Sequence, residues 1–180
     1  PYFDGGVSIS RTARTYPTYL IFKPSMIFAS FLLILYWVKT NKLINNLQQS
    51  ESKNLFKTFG ILSAIFLIIH SIFLGIKFDY DLYKFFRRFV LLAFIIFEIV
   101  AQSLLVFRLF KLKSLIKDYF NNYALVLKII LVSILVVVAI LSLPIVITSG
   151  NVHFKHALEW NYFVGVILFY FFTYLFWKKI

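Results

Sequence analysis

Two stretches of this chain run for the width of a membrane with almost no charge. Thr58 to Ile76 lies between Lys57 and Lys77, and Phe89 to Phe107, interrupted only by Glu98, lies between Arg88 and Arg108. As helix, at about 1.5 Å per residue, each is about 30 Å long, the thickness of a bilayer's hydrocarbon core. In lipid every backbone N–H and C=O must be satisfied within the protein, so such a run must be helical.

Three more apolar runs follow the same pattern: Pro24 to Val38, Ala124 to Thr148 and Leu158 to Trp177. The first is short, about 22 Å of helix, so it is expected to begin earlier or to enter obliquely. Pro24 reads as a first-turn residue, where its missing N–H costs nothing. The expectation is an all-α, polytopic transmembrane helical bundle: one transmembrane domain over residues 1–180, with five spans. Residues 1–23 read as an extracytoplasmic loop and 39–57 as a cytoplasmic linker.

Composition narrows the function classes. The chain is 61% hydrophobic and 14% charged, more apolar than a soluble domain can bury. Its formal charge of +12 would suggest nucleic acid in a soluble protein. Here Lys and Arg sit between apolar runs, so they read as loop charges that set topology and meet anionic headgroups. Nucleic acid is therefore not an expected partner; membrane lipids are, with protein partners in the membrane as a further class. There is no cysteine, which excludes disulfides, thiolate metal sites and a cysteine nucleophile. No Gly-rich phosphate loop or nucleophile elbow occurs, and no cofactor is expected.

Orientation rests on the loops. The 1–23 segment and the loops after the second and fourth spans carry eight basic residues. The opposite side, counting Lys128 among its loop charges, carries eleven. Four of the seven acids, Asp4, Asp79, Asp81 and Glu159, fall on the less basic side. That side is expected outside and the C-terminus in the cytoplasm. A further span leading out to Pro1 would make six, with both ends inside.

In this topology the outer face gathers Arg11, Arg14, Arg87, Arg88, His153, His156 and Glu159. Arginine suits an anionic headgroup because its planar fork makes bidentate phosphate contacts. Two intramembrane residues extend the set inward. His70 lies about 10 Å below Lys77, on a face shared with Ser63. Glu98 lies about 16 Å below Arg87 on a common stripe that Gln102 continues. Ionisable groups at such depth face the bundle interior. Two readings fit them: a polar cavity opening outward, lined by His70, Glu98 and Gln102, or a structural hydrogen-bond network. The polar turn at His153-x-x-His156-x-x-Glu159 fits a metal half-site poorly, because i, i+3 and i+6 spread over a wide arc, and no metal is expected. It also fits an acid/base pair, with His70, His156 and Glu159 as candidate catalytic residues, or an interface-anchored helix start with Trp160 in the headgroup zone.

Three pieces carry a resemblance: PYFDGGVSISRTARTYP, the mixed-charge loop KFDYDLYKFFRR, and a last span opening with LEW and closing with FYFFTYLFW. In this order they resemble the damage-regulated autophagy modulator (DRAM) superfamily. That superfamily takes in the FGF-receptor-activating protein, the yeast Sfk-type proteins and the post-GPI-attachment lipid-remodelling proteins. The resemblance implies six spans, the first missing here, and a lipid-linked role in anchor remodelling, lipid distribution or scaffolding. It carries over no catalytic set. Heavy use of Phe, Ile, Lys and Asn suggests an AT-rich genome, and with it a bacterial inner membrane rather than a eukaryotic endomembrane. The expected function is binding or organising a lipid or lipid-linked headgroup at an outward-facing polar cavity. The alternatives are acyl or headgroup transfer, transport or proton relay, and a structural role in a membrane complex.

Overall fold

A computed structural model describes residues 3–13, 15–48, 54–76, 80–114, 119–147 and 150–177. It is all-α. A short helix, α1 (Ile9–Thr12), precedes five long ones: α2 (Thr18–Gln48), α3 (Leu55–Phe73), α4 (Asp81–Lys111), α5 (Asn122–Ile147) and α6 (Val152–Phe176). All five are long and apolar enough to cross a membrane. The chain is that of an integral, multi-pass membrane protein.

The helices outrun the apolar stretches that announce them. α2 begins six residues before Pro24, which therefore lies inside the helix and not in its first turn. There it leaves the Leu20 carbonyl without its helical donor. α2 also continues past Lys39 to Gln48, so half of the polar linker is helical. The reason is that the apolar stripe does not stop at Val38: Trp37 and, seven residues on, Ile44 are both fully buried. α4 starts at Asp81, so Arg87 and Arg88 sit on its second turn and not in a loop. α6 starts at Val152, so the polar segment with His153, His156 and Glu159 is its first two turns.

The chain divides into two compact units, Thr12–Leu104 and Pro1–Arg11 with Leu105–Ile180. In the first, α2 and α3 pack antiparallel. At one end the Asn54 side-chain amide donates to Asn41 Oδ1 and Asn45 Oδ1, both at 2.8 Å. At the other, Lys23 Nζ donates to Ile72 O at 3.5 Å. Between them Gly60 lies flat on the indole of Trp37, where a Cβ would overlap the ring. Gly60 and Ala64 form the small-x-x-x-small pattern that lets membrane helices approach closely. On another face of α3, Phe59, Phe66 and Phe73 recur every seven residues and stack against α4. Phe59 and Phe66 meet Phe97 at 5.8 and 5.5 Å, Phe66 also meets Phe89 at 6.3 Å, and Phe73 meets Tyr83 and Phe86 at 6.3 and 5.4 Å. The Tyr83 hydroxyl then reaches the Phe73 and Ile76 carbonyls at 3.0 and 3.2 Å. These belong to the last turn of α3 and just beyond, where carbonyls lack helical donors.

In the second unit, α5 and α6 form an antiparallel pair. Immediately before α6, Gly150 (φ 111°) and Asn151 (φ 50°) have positive φ, which favours glycine and is tolerated by asparagine. The far ends are tied by Asn121 N donating to Phe176 O at 2.8 Å and by Phe120 stacked on Phe176 at 5.1 Å. Asn121 also caps α5, its Oδ1 accepting from Tyr123 N at 3.0 Å. Midway, Gly165 faces Leu135, and a Cβ there would stand 2.7 Å from Leu135 Cδ2.

Candidate functional site

Polar chemistry gathers in four places, two in each unit. The deepest is on α3 and α4. Glu98, Gln102 and Ser63 are all fully buried. Ser63 Oγ stands 2.6 Å from Glu98 Oε2 and 2.9 Å from the Gly60 carbonyl, and Gln102 Nε2 donates to Glu98 Oε1 at 2.9 Å. The spacing of Glu98 and Gln102, four residues apart, places them on one helical face as the sequence implies. Gln102 Oε1 is buried and meets no donor among the described residues. His70, two turns along α3 from Ser63, is half-buried.

The second place is the start of α4. Tyr80, Leu82, Tyr83, Phe85, Phe86 and Phe89 line an open, almost wholly apolar concavity of about 670 Å³. Arg87 rises beside it with its guanidinium 5.9 Å from the Tyr83 ring centre, a cation–π geometry. Arg87 Nε is buried and finds no acceptor among the described residues. Arg88 is exposed. The hydrophobic reading of this stretch as a loop missed the concavity. Helical periodicity from Asp81 onward would have found it, because Leu82, Phe85, Phe86 and Phe89 recur at i, i+3, i+4 and i+7.

The third place is the first two turns of α6, which the N-terminal segment crosses. Gly5, at φ +58°, lies so close that a Cβ would overlap the His153 carbonyl. His156 Nδ1 meets Gly5 O at 2.9 Å and Trp160 Nε1 donates to Val7 O at 2.8 Å. His153, His156 and Trp160, at i, i+3 and i+7, form the face under this strap. A carbonyl only accepts, so Nδ1 of His156 carries the hydrogen and, in the neutral ring, Nε2 keeps its lone pair. The strap ends in a local turn where Arg11 N donates to Ser8 Oγ at 3.1 Å, and Arg11 itself is exposed. Glu159 is half-buried one turn beyond His156. Arg14 lies outside the described residues.

The fourth place was not foreseen. Lys128 belongs to α5 and is fully buried, so it is no loop charge, and the more basic side keeps ten residues and not eleven. Its Nζ donates to Thr173 Oγ1 at 2.6 Å and sits 4.0 Å from the Phe169 ring centre and 5.7 Å from that of Phe176. The aromatic faces supply the negative potential that a carboxylate would supply elsewhere. Phe169, Thr173 and Phe176 recur at i, i+4 and i+7, a signal present in the sequence, but one that points to an amine only when α5 is aligned beside it.

Among the described residues, no three His, Asp or Glu side chains gather as metal ligands. His70, Glu98, Gln102, Arg87 and Arg88 fall in one unit; Arg11, His156 and Glu159 fall in the other. No protein-family model, curated protein or solved structure matches the chain.

Proposed function

We propose that this membrane protein binds a lipid with an anionic headgroup at the start of α4. The acyl chains lie in the aromatic concavity, and Arg87 and Arg88 hold the headgroup. The observation that carries this reading is the pairing of an open apolar hollow of about 670 Å³ with a guanidinium whose buried Nε has no acceptor among the described residues. An apolar wall takes chains and an unspent N–H takes a phosphate oxygen. Tyr80 and Tyr83 at the rim suit the headgroup zone. The lipid-linked role implied by the resemblance to the DRAM superfamily agrees with this reading, and the proposal places this end of α4 on the outer side of a bacterial inner membrane.

The test is mass spectrometry of lipids retained by the purified protein. Wild type is expected to retain an anionic class. R87A with R88A should lose the preference for that class, and F86A with F89A should lose retained lipid of every class. If wild type retains no class above an unrelated helical membrane protein, or if neither pair of substitutions changes retention, the reading fails.

A second reading, transfer of an acyl chain or headgroup, draws on His156. Its Nδ1–H is held by Gly5 O, which leaves Nε2 as the basic atom. Under this reading H156A or E159A abolishes turnover of a lipid substrate and leaves lipid retention unchanged.

A further inference from the structure

Ser63 has one hydroxyl hydrogen and two acceptors in reach. Gly60 O stands 2.9 Å from Ser63 Oγ and Glu98 Oε2 stands 2.6 Å from it. The hydrogen serves one at a time. If it points to Glu98, the carboxylate is ionised and accepts from Ser63 and from Gln102 Nε2. If it points to Gly60, the short contact to Glu98 needs a hydrogen of its own, which sits on Oε2 and donates to Ser63 Oγ. Both arrangements use the same heavy-atom positions, and only one hydroxyl rotates between them. Gln102 continues to donate to Oε1 at 2.9 Å in either case.

We propose that Glu98 and Ser63 form a proton-binding site within the membrane, in which the Ser63 hydroxyl turns between Gly60 and Glu98 as the carboxyl gains and loses its proton. The balance is simple. A proton adds to Glu98 Oε2, the new O–H donates to Ser63 Oγ, and the hydrogen of Ser63 leaves the carboxyl for the Gly60 carbonyl. Separations of 2.6 and 2.9 Å are those of hydrogen bonds between oxygens. They leave no room for a metal cation between the same atoms, so the ligand is the proton. The second sign of a site is Gln102 Oε1, fully buried beside Glu98 with no donor among the described residues. A structural network would be expected to satisfy it.

The ionisable groups around the pair are few. On α3 the next on the Ser63 face is His70, about 10 Å along the axis. On α4, Arg87 lies on the Glu98 stripe about 16 Å away, and no other charged residue falls between Arg88 and Arg108. α2, which packs on α3, offers Tyr36 beside Trp37, with Lys23 and Lys39 beyond. This inference stands apart from the lipid site: R87A with R88A tests that site alone.

The chain has three glutamates, Glu51, Glu98 and Glu159. In carboxyl-13C-glutamate protein carrying E51Q and E159Q, reconstituted in bilayers, the carboxyl signal is that of Glu98 alone. Solid-state NMR should show this signal pass from carboxylic acid to carboxylate as pH rises within the range where the protein stays folded. S63A, which removes the donor to the carboxylate, should change the ratio of the two forms at a fixed pH by about tenfold toward the acid. A Glu98 signal locked in one form across that range overturns the proposal, as does a ratio indifferent to S63A.

Discussion

Gly60 offers the sharpest test of how the α2–α3 pair is held. A methyl group at this position would fall on the Trp37 indole, onto Cγ, Cδ2 and Cε2. Trp37 is fully buried, with Tyr36 edge-on at 5.0 Å and Phe56 at 6.3 Å, so the ring has nowhere to turn. The helices must part instead. Overpacking of a well-filled core costs about 1–3 kcal/mol, and parting the helices also strains the Asn54 bridge to Asn41 and Asn45. G60A is therefore expected to lose about 2–3 kcal/mol, at the upper end of that range. W37F alone removes contact area and should lose about 1–2 kcal/mol, as large-to-small core changes do. The double variant should lose less than the sum by at least about 1 kcal/mol, because the smaller ring leaves room for the methyl. Denaturant titration in mixed micelles, read by helical circular dichroism, gives all four corners of the cycle. Additivity within about 0.5 kcal/mol would refute the reasoning, since it would mean that Gly60 and Trp37 do not touch.

Three further outcomes follow from the other unit and from the α3–α4 end. F169L strips the nearer ring face from the buried Lys128 and should cost about 2 kcal/mol. K128M removes the amine together with its desolvation cost and should be close to neutral. Equal losses for the two, in the same micelle titration, would contradict the cation–π account. G5A combines a positive φ with an overlap on the His153 carbonyl, so the strap should lift from α6. Hydrogen exchange at residues 6–8 should rise and the Trp160 emission should shift to the red, with α5 and α6 unchanged. Y83F removes the hydroxyl shared by the Phe73 and Ile76 carbonyls and should cost about 0.5–1.5 kcal/mol, with faster exchange confined to the facing ends of α3 and α4.

How far the sequence could be read depends on whether a residue announces itself within its own helix or only through its neighbour. The five spans were legible because each is a local property: a long apolar run with basic residues at its ends. Their true ends were not, because hydropathy stops at the first lysine while a helix stops only where its backbone is interrupted. That is why α2 runs on to Gln48 and why Arg87 and Arg88 turn out to be helical. Glu98 and Gln102 were legible as a pair because four residues on one helix is a fixed geometry. Ser63 was placed on the His70 face, yet its bond to Glu98 needs α3 and α4 set side by side, and no single-helix pattern supplies that register. Lys128 is the clearest case. It follows a basic stretch and stands only six residues into α5, so its charge looked like one more loop charge. Its burial is decided by Phe169, Thr173 and Phe176 on another helix. The Gly5 strap is likewise invisible in Asp4-Gly5-Gly6, which reads as a turn until His153 lies under it.

Among the described residues, Glu98 and Lys128 are the fully buried ionisable groups, and both lean on a hydroxyl. Lys128 Nζ donates to Thr173 Oγ1, which itself donates to Phe169 O at 3.0 Å, just as Ser63 stands between Glu98 and Gly60 O. What separates the two groups is the rest of the setting. Ring faces attract an ammonium and offer a neutral amine little, whereas a protonated Glu98 can return a hydrogen bond to Ser63 Oγ across the same 2.6 Å. Both forms of the carboxyl therefore keep their partners, and Glu98 is the residue to follow when proton uptake is measured. K128M removes the other buried group and serves as the control that should leave the Glu98 signal where it is.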